Sequence, residues 1–241
     1  MLPLCNNIYK NQQAMKRKYI ISALIIFTIL ALDQGLKIWV KTHMIENQNI
    51  PQHYDSWWNI HFVENPGMAF SIELPGPYGK LVLSVFRFFA IGFIFYMIVD
   101  LIRKNKPEGL VYCAAAIFAG AAGNLIDSAV YGLIFTDSYG RVAEMFPAKG
   151  YAGFMQGYVV DMLWFPILRG EFPKWLPLWG GEPFEFFRPV FNIADAAITV
   201  SVFFVLIFQK RFFPQEETTS TSNEQPSTET TTDAVQPTPE A

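Results

Sequence analysis

The chain has 241 residues, of which 51% are hydrophobic, 16% aromatic and only 16% charged. Soluble domains carry about 25% charged residues, so this composition excludes an ordinary water-soluble enzyme. The net charge of −3 conceals an asymmetry: Glu216, Glu217, Glu224, Glu229, Asp233 and Glu240 follow Pro214 without a single Lys or Arg, and the rest of the chain carries +3. The basic residues form no broad stripe, which argues against nucleic-acid binding. Cys5 and Cys113 have neither metal-ligand spacing nor a disulfide framework.

Four apolar stretches approach the roughly 20 residues that cross a bilayer. Lys16, Arg17 and Lys18 precede the first, Tyr19–Val40, which Asp33, Gln34 and Lys37 interrupt. No small-x-small cleavage site follows it, so a retained helix is expected rather than a removed signal peptide. The next connection holds Trp57 and Trp58, suited to the membrane interface. It continues with His61-Phe-Val-Glu-Asn65-Pro-Gly67-Met-Ala-Phe70, whose apolar residues around an Asn-Pro-Gly turn signal predict a small β element. The second stretch, Leu81–Ile102, contains Arg87 and ends at Arg103, Lys104 and Lys106.

In the third stretch, Leu110–Val130, the small residues from Ala114 to Gly123 permit close helix approach. The connection from Tyr131 to Pro189 places Asp161 in the apolar run Tyr158-Val-Val-Asp-Met-Leu-Trp-Phe165, where a lone acid needs a partner or a raised pKa. Trp164, Trp175, Trp179 and several prolines predict that the following segment skims the interface. Phe191–Phe208 is the fourth stretch, followed by Lys210 and Arg211. All three basic clusters fall on one side, which predicts cytoplasmic termini and two outward loops. The expected organisation is a cytoplasmic segment over 1–18, a membrane domain over 19–210 and a disordered acidic tail over 211–241. The expected fold is an all-α membrane protein with four transmembrane helices. A small extracytoplasmic β element lies between helices 1 and 2, and an extended outer loop between helices 3 and 4.

Ionisable residues inside spans are costly and usually functional, so their depths matter. At 1.5 Å per residue, Asp33 and Asp195 each lie about 22 Å from the cytoplasmic end, Asn124 and Asp127 about 21 and 26 Å, and Arg87 about 24 Å. In a core about 30 Å thick, four spans thus bring polar groups to one layer in the outer third. Asp33 and Lys37 at i,i+4, and Asn192 and Asp195 at i,i+3, each share a helix face.

Five ordered motifs carry a resemblance: Asp33-Gln-Gly-Leu-Lys37, Asn65-Pro-Gly-Met-Ala-Phe70, Gly123-Asn-Leu-Ile-Asp127, Val159-Val-Asp161-Met and Phe191-Asn-Ile-Ala-Asp195. Between about Lys18 and Lys210 the chain resembles the lipoprotein signal peptidase family, signal peptidase II. The resemblance implies an aspartic endopeptidase of the bacterial inner membrane. It would cut lipid-modified prolipoproteins before the diacylglyceryl cysteine, among membrane phospholipid, with its site toward the outer leaflet. It further implies Asp161 and Asp195 as the catalytic pair, and Asp33, Lys37, Asn65, Gly67, Asn124, Asp127 and Asn192 as residues that bind substrate or shape the site. No metal or cofactor is expected, and a monomer is. Two like carboxylates in low dielectric hold one proton between them, which suits activation of water without a covalent intermediate.

The chain departs from the family pattern twice. Ser128 stands where the family commonly has Arg, so Arg87 or Arg141 is expected to supply the missing charge. The third connection is also long, with extra sequence around Phe135–Gln156 and Leu168–Arg188. The main competing reading is a transporter or proton relay, since buried carboxylates also build ion pathways; an assembly factor with merely paired aspartates is a third. No inverted repeat is visible, and the cytoplasmic halves of the spans have few polar residues. Serine-peptidase motifs are absent, and His43, His53 and His61 lack metallopeptidase spacing.

Overall fold

The computed structural model describes residues 2–51, 57–66, 79–186 and 188–213, with side chains from residue 9 onward. Lys and Arg are good helix formers, and nothing between Lys16 and Tyr19 stops a helix. Helix α1 accordingly runs unbroken over Leu2–His43. It lies against α2 (Gly79–Arg103) and α3 (Glu108–Ile126). Lys18 is buried and its Nζ donates to Asn105 Oδ1 and to the Lys106 carbonyl, 2.7 Å each, between those two helices. This contact brings the first two basic clusters to the same end of the bundle.

Near that basic end, Ile98 and Ile102 of α2 pack on Val111, Ala114 and Ala115 of α3. The small residues of α3 serve close approach further along. A Cβ on Gly120 would lie 2.4 Å from the Ala194 carbonyl, and one on Gly123 would lie 2.8 Å from Asp33 Oδ2. Past Ile126 the helix widens into a π-helical turn, Asp127–Tyr131, and closes with one turn, α4 (Gly132–Ile134).

Three helices are long and apolar enough to cross a membrane among the described residues: Tyr9–His43, Gly79–Arg103 and Glu108–Ile134. The fourth apolar stretch forms α5 (Ile193–Ile207), followed by the short α6 (Gln209–Phe212). The 15 residues of α5 rise about 22 Å. This helix is shorter than the expected Phe191–Phe208 because Phe191 belongs to a strand and Asn192 caps the helix. The Asn192 side chain accepts the Asp195 N–H at 2.9 Å.

The β element is larger than expected and draws on both outer connections, so the protein is mainly helical with a small sheet rather than all-α. The strands β1 (Asn49–Ile50), β2 (Asn59–Asn65), β3 (Val159–Trp164) and β6 (Val190–Phe191) form one antiparallel sheet in the order β1-β2-β3-β6. A two-residue strand cannot stabilise β2 alone, and β3 supplies the apolar partner. The hairpin β4 (Leu168–Glu171) and β5 (Pro183–Phe186) stands apart. Val160 and Met162 pack with Val40, Met44, Phe62, Tyr131, Phe135 and Ala143. By the two-residue period of a strand, Asp161 between them points to the opposite face.

Candidate active site

Lys37 organises the deepest polar layer. Its Nζ lies 2.8 Å from Asp33 Oδ2 and 2.7 Å from Asp127 Oδ2, and it donates to Asn124 Oδ1 at 2.9 Å. An ammonium has three donors, and here all three find acceptors. Lys37, Asp33 and Asp127 are buried, which a charge tolerates only when paired in this way. Gln34 donates to Asp127 Oδ1 at 2.8 Å and accepts the Tyr131 hydroxyl at 3.0 Å. The same carboxylates fasten the neighbouring elements: Asp33 accepts the Ala194 N–H at 2.9 Å, and Asp127 accepts the Val160 N–H at 3.3 Å.

A second pair of carboxylates is held differently. Asp161 accepts from Asn65 Nδ2 at 2.9 Å and from Asn192 Nδ2 at 2.7 Å, while Asp195 accepts from Asn124 Nδ2 at 2.8 Å. Lys37 fixes the orientation of the Asn124 amide by occupying its oxygen. Asn192 bridges the pair, because its oxygen caps Asp195 while its nitrogen serves Asp161. Neutral amides therefore hold Asp161 and Asp195, whereas Lys37 pairs with both Asp33 and Asp127. Burial pushes the Asp161 carboxyl up to about 7; the amide bonds from Asn65 and Asn192 oppose the rise, and the nearby Asp195 charge adds to it.

Eight of the nine site residues expected from sequence meet in this network; Gly67 lies outside the described residues. Gln34 and Tyr131 were not singled out. Gln34 had a legible signal, a second polar residue within the first span, but Tyr131 resembles any aromatic at a helix end. Of the two candidates for the missing charge, Arg87 on α2 lies within electrostatic reach of Asp195, Asp127 and Asp161. Arg141 instead pairs with Asp137, four residues earlier in a surface loop. Ser128 donates to the Asn124 carbonyl at 3.1 Å and so stays within its own helix. Beside the polar layer, an apolar groove of about 480 Å³ runs between α2 and α3, lined by residues including Phe88, Phe89, Phe95, Phe118 and Leu125.

These features define a membrane-helix protein with a buried carboxylate site under a small sheet. A family profile described as signal peptidase (SPase) II matches residues 25–211. A lipoprotein signal peptidase of Porphyromonas gingivalis is 47% identical over 194 residues, covering 80% of this chain and 83% of that one. Another, from Amoebophilus asiaticus, is 32% identical over 77% of this chain and 76% of its own. A solved structure described as a bacterial membrane enzyme superposes with a TM-score of 0.51 at 22% identity, covering 81% of this chain and 92% of that one, and shares the fold. The chain belongs to the signal peptidase II family, the bacterial membrane proteases that cleave lipoprotein signal peptides.

Proposed function

We propose that the protein is an aspartic endopeptidase that cuts lipid-modified prolipoproteins before the diacylglyceryl cysteine, with Asp161 and Asp195 as its catalytic pair. One observation carries this reading. Four carboxylates share the site, and only these two are held by amides rather than by a lysine. Lys37 leaves Asp33 and Asp127 no free role in proton transfer, which fits them as scaffold. The proton-relay alternative loses support from the family match and from the apolar packing at the basic end.

The chemistry follows from the environment of each acid. With its carboxyl raised to about 7, Asp161 is protonated in part of the population at neutral pH, and that form donates its proton to the scissile carbonyl oxygen. Asp195 takes a proton from water, and the resulting hydroxide adds to the carbonyl carbon. Collapse of the tetrahedral intermediate breaks the C–N bond. The proton on Asp195 passes to the leaving amine, and Asp161 recovers its own from the oxygen. Asn65, Asn124 and Asn192 hold the two acids in register throughout, and neither metal nor cofactor has a part.

The same proposal takes α5 with its flanking residues as a fourth span and residues 19–210 as the peptidase body. The basic clusters and both termini lie in the cytoplasm, and the sheet faces the outer leaflet. The chain acts as a monomer in the inner membrane. Phenyl rings along the α2–α3 groove suit the acyl chains of a substrate whose peptide reaches the carboxylates. The test is cleavage of a diacylglyceryl prolipoprotein by the full chain in phospholipid vesicles. Asp161→Asn and Asp195→Asn should each lower the rate by about a thousandfold or more, the scale of lost acid–base catalysis. Normal cleavage by either variant rejects the assignment.

A further inference from the structure

The structure buries a second charged cluster that the proposed reaction does not use. Lys41 lies one turn beyond Lys37 on α1 and is fully buried. It forms an ion pair with Glu64 of β2 and donates to Ser138 Oγ at 3.2 Å, while Ser138 Oγ donates to Glu64 Oε1 at 2.9 Å. Its Nζ lies 5.3 Å from the ring centroid of Phe135 and 5.1 Å from that of Tyr151, within cation–π range. Ser138, Phe135 and Tyr151 all belong to the extra sequence of the third connection.

That insertion is braced on every side. The Ala143 N–H donates to the Lys41 carbonyl at 3.2 Å, and the Glu46 N–H donates to the Ser138 carbonyl at 3.1 Å. The Tyr151 N–H reaches the Phe135 carbonyl at 3.1 Å, and the Ala152 N–H reaches the Gly132 carbonyl at 2.9 Å. Where the segment returns to the bundle, a Cβ on Gly157 would lie 2.2 Å from the Asp127 carbonyl. Only glycine permits that approach.

Glu64 immediately precedes Asn65, and neighbours on a strand point to opposite faces. Gripping Glu64 from one face therefore sets the rotation of β2 and the aim of Asn65 on the other. The strand needs such a grip. Its register with β3 shifts between Ile60 and Val63, and a slip of one residue would exchange its two faces. The partner on its other edge is the two-residue β1. A buried ion pair is weak evidence for stability and better suited to fixing a geometry.

We propose that Lys41, Glu64 and Ser138 are positioning residues through which the insertion around residues 135–156 grips β2 and holds the Asn65 amide on Asp161. This rests on the reading of Asp161 as a catalytic carboxylate. The experiment uses the full chain in phospholipid vesicles with a diacylglyceryl prolipoprotein. Lys41→Met/Glu64→Gln removes both charges together, so that neither is left buried alone. The double variant should keep its thermal midpoint and its KM but lose up to about tenfold in kcat, the upper end of what one neutral hydrogen bond is worth. In an Asn65→Ala background the same pair of changes should cost less than about twofold, because the interaction through which they act is already gone.

Full kcat in the double variant, or a loss that multiplies with that of Asn65→Ala, overturns the proposal. If the double variant does not fold, Ser138→Ala leaves the ion pair in place and carries the same cycle. Asp161→Asn separates the two readings. A variant that still cleaves removes the catalytic assignment itself, whereas an inactive variant beside a multiplicative cycle removes only the grip.

Discussion

The two ends of the bundle are built on different physics, although α1 and α3 run through both. At the basic end, Ile98, Ile102, Val111, Ala114 and Ala115 meet through apolar contacts alone. At the sheet end, the same two helices carry Asp33, Lys37, Asn124 and Asp127, and each polar atom depends on a particular partner. Apolar contacts are individually small and interchangeable, so the basic end should tolerate repacking. A buried polar network is secure when complete and costly when one member is lost. Gly120 and Gly123 lie between the two regimes, where α3 must approach α5 and α1 closely.

Lys37→Met should show the contrast most strongly. It leaves Asp33 and Asp127 buried without a cation, and losing one partner of a buried pair costs about 3–5 kcal/mol. The full chain in vesicles should therefore show a large fall in thermal midpoint together with loss of cleavage. A variant that kept its midpoint would mean that the two carboxylates are neutral, and the division of the four acids into two pairs would fail. Next in size is Asn65→Ala, which removes one donor from Asp161 and should lower kcat/KM about ten- to a hundredfold. Its sign against pH is also fixed. If Asp161 is the acid of the proposed pair, it must be protonated to donate, so activity falls as pH rises through about 7. The Asn65 bond favours the ionised form, so its loss raises the pKa further and moves the alkaline limb to higher pH. An acid limb that moved to higher pH, with the alkaline limb unmoved, would assign Asp161 the role of base.

Much of this site was legible because its geometry is local. Asp33 with Lys37, and Asn192 with Asp195, follow from helical spacing, and the acid at 161 was conspicuous within an apolar strand. What could not be read is the part made by distant pairing. Asn65 meets Asp161 across 96 positions, and the register shift in β2 leaves no mark on its composition. Lys41 and Glu64 resemble ordinary charges flanking a span, yet the insertion buries them together. Arg141 shows the opposite error. Its charge is satisfied by Asp137, four residues earlier in the chain, and depth arithmetic cannot reveal that. Helix α1 begins well before its apolar stretch and α5 is shorter than its own, because hydropathy marks apolar residues, while helix ends follow caps and strand pairing.

Arg87→Ala tests whether a charge from α2 replaces the arginine expected where Ser128 stands. Arg87 acts on Asp195, Asp127 and Asp161 by field, so its removal should lower kcat/KM by about fivefold, a coulombic effect of roughly 1 kcal/mol at an effective dielectric near 20. Unchanged cleavage would mean that Lys37 alone supplies the positive potential of the site.

The smallest effect should come from Ile102→Val at the basic end. Ile102 is fully buried among Val111, Ala114 and Ala115, and the change removes one methylene without adding a polar atom. Such deletions cost about 0.5–1.5 kcal/mol. Within a bilayer the loss is mainly van der Waals contact, since lipid is as apolar as the helix interface. The thermal midpoint in vesicles should fall slightly, while kcat and the pH profile of the folded fraction stay as they are. A shifted pH limb would show that packing near Ile102 reaches Asp161 through α3, and the bundle would then work as one coupled body rather than as a tolerant scaffold beneath an exacting site.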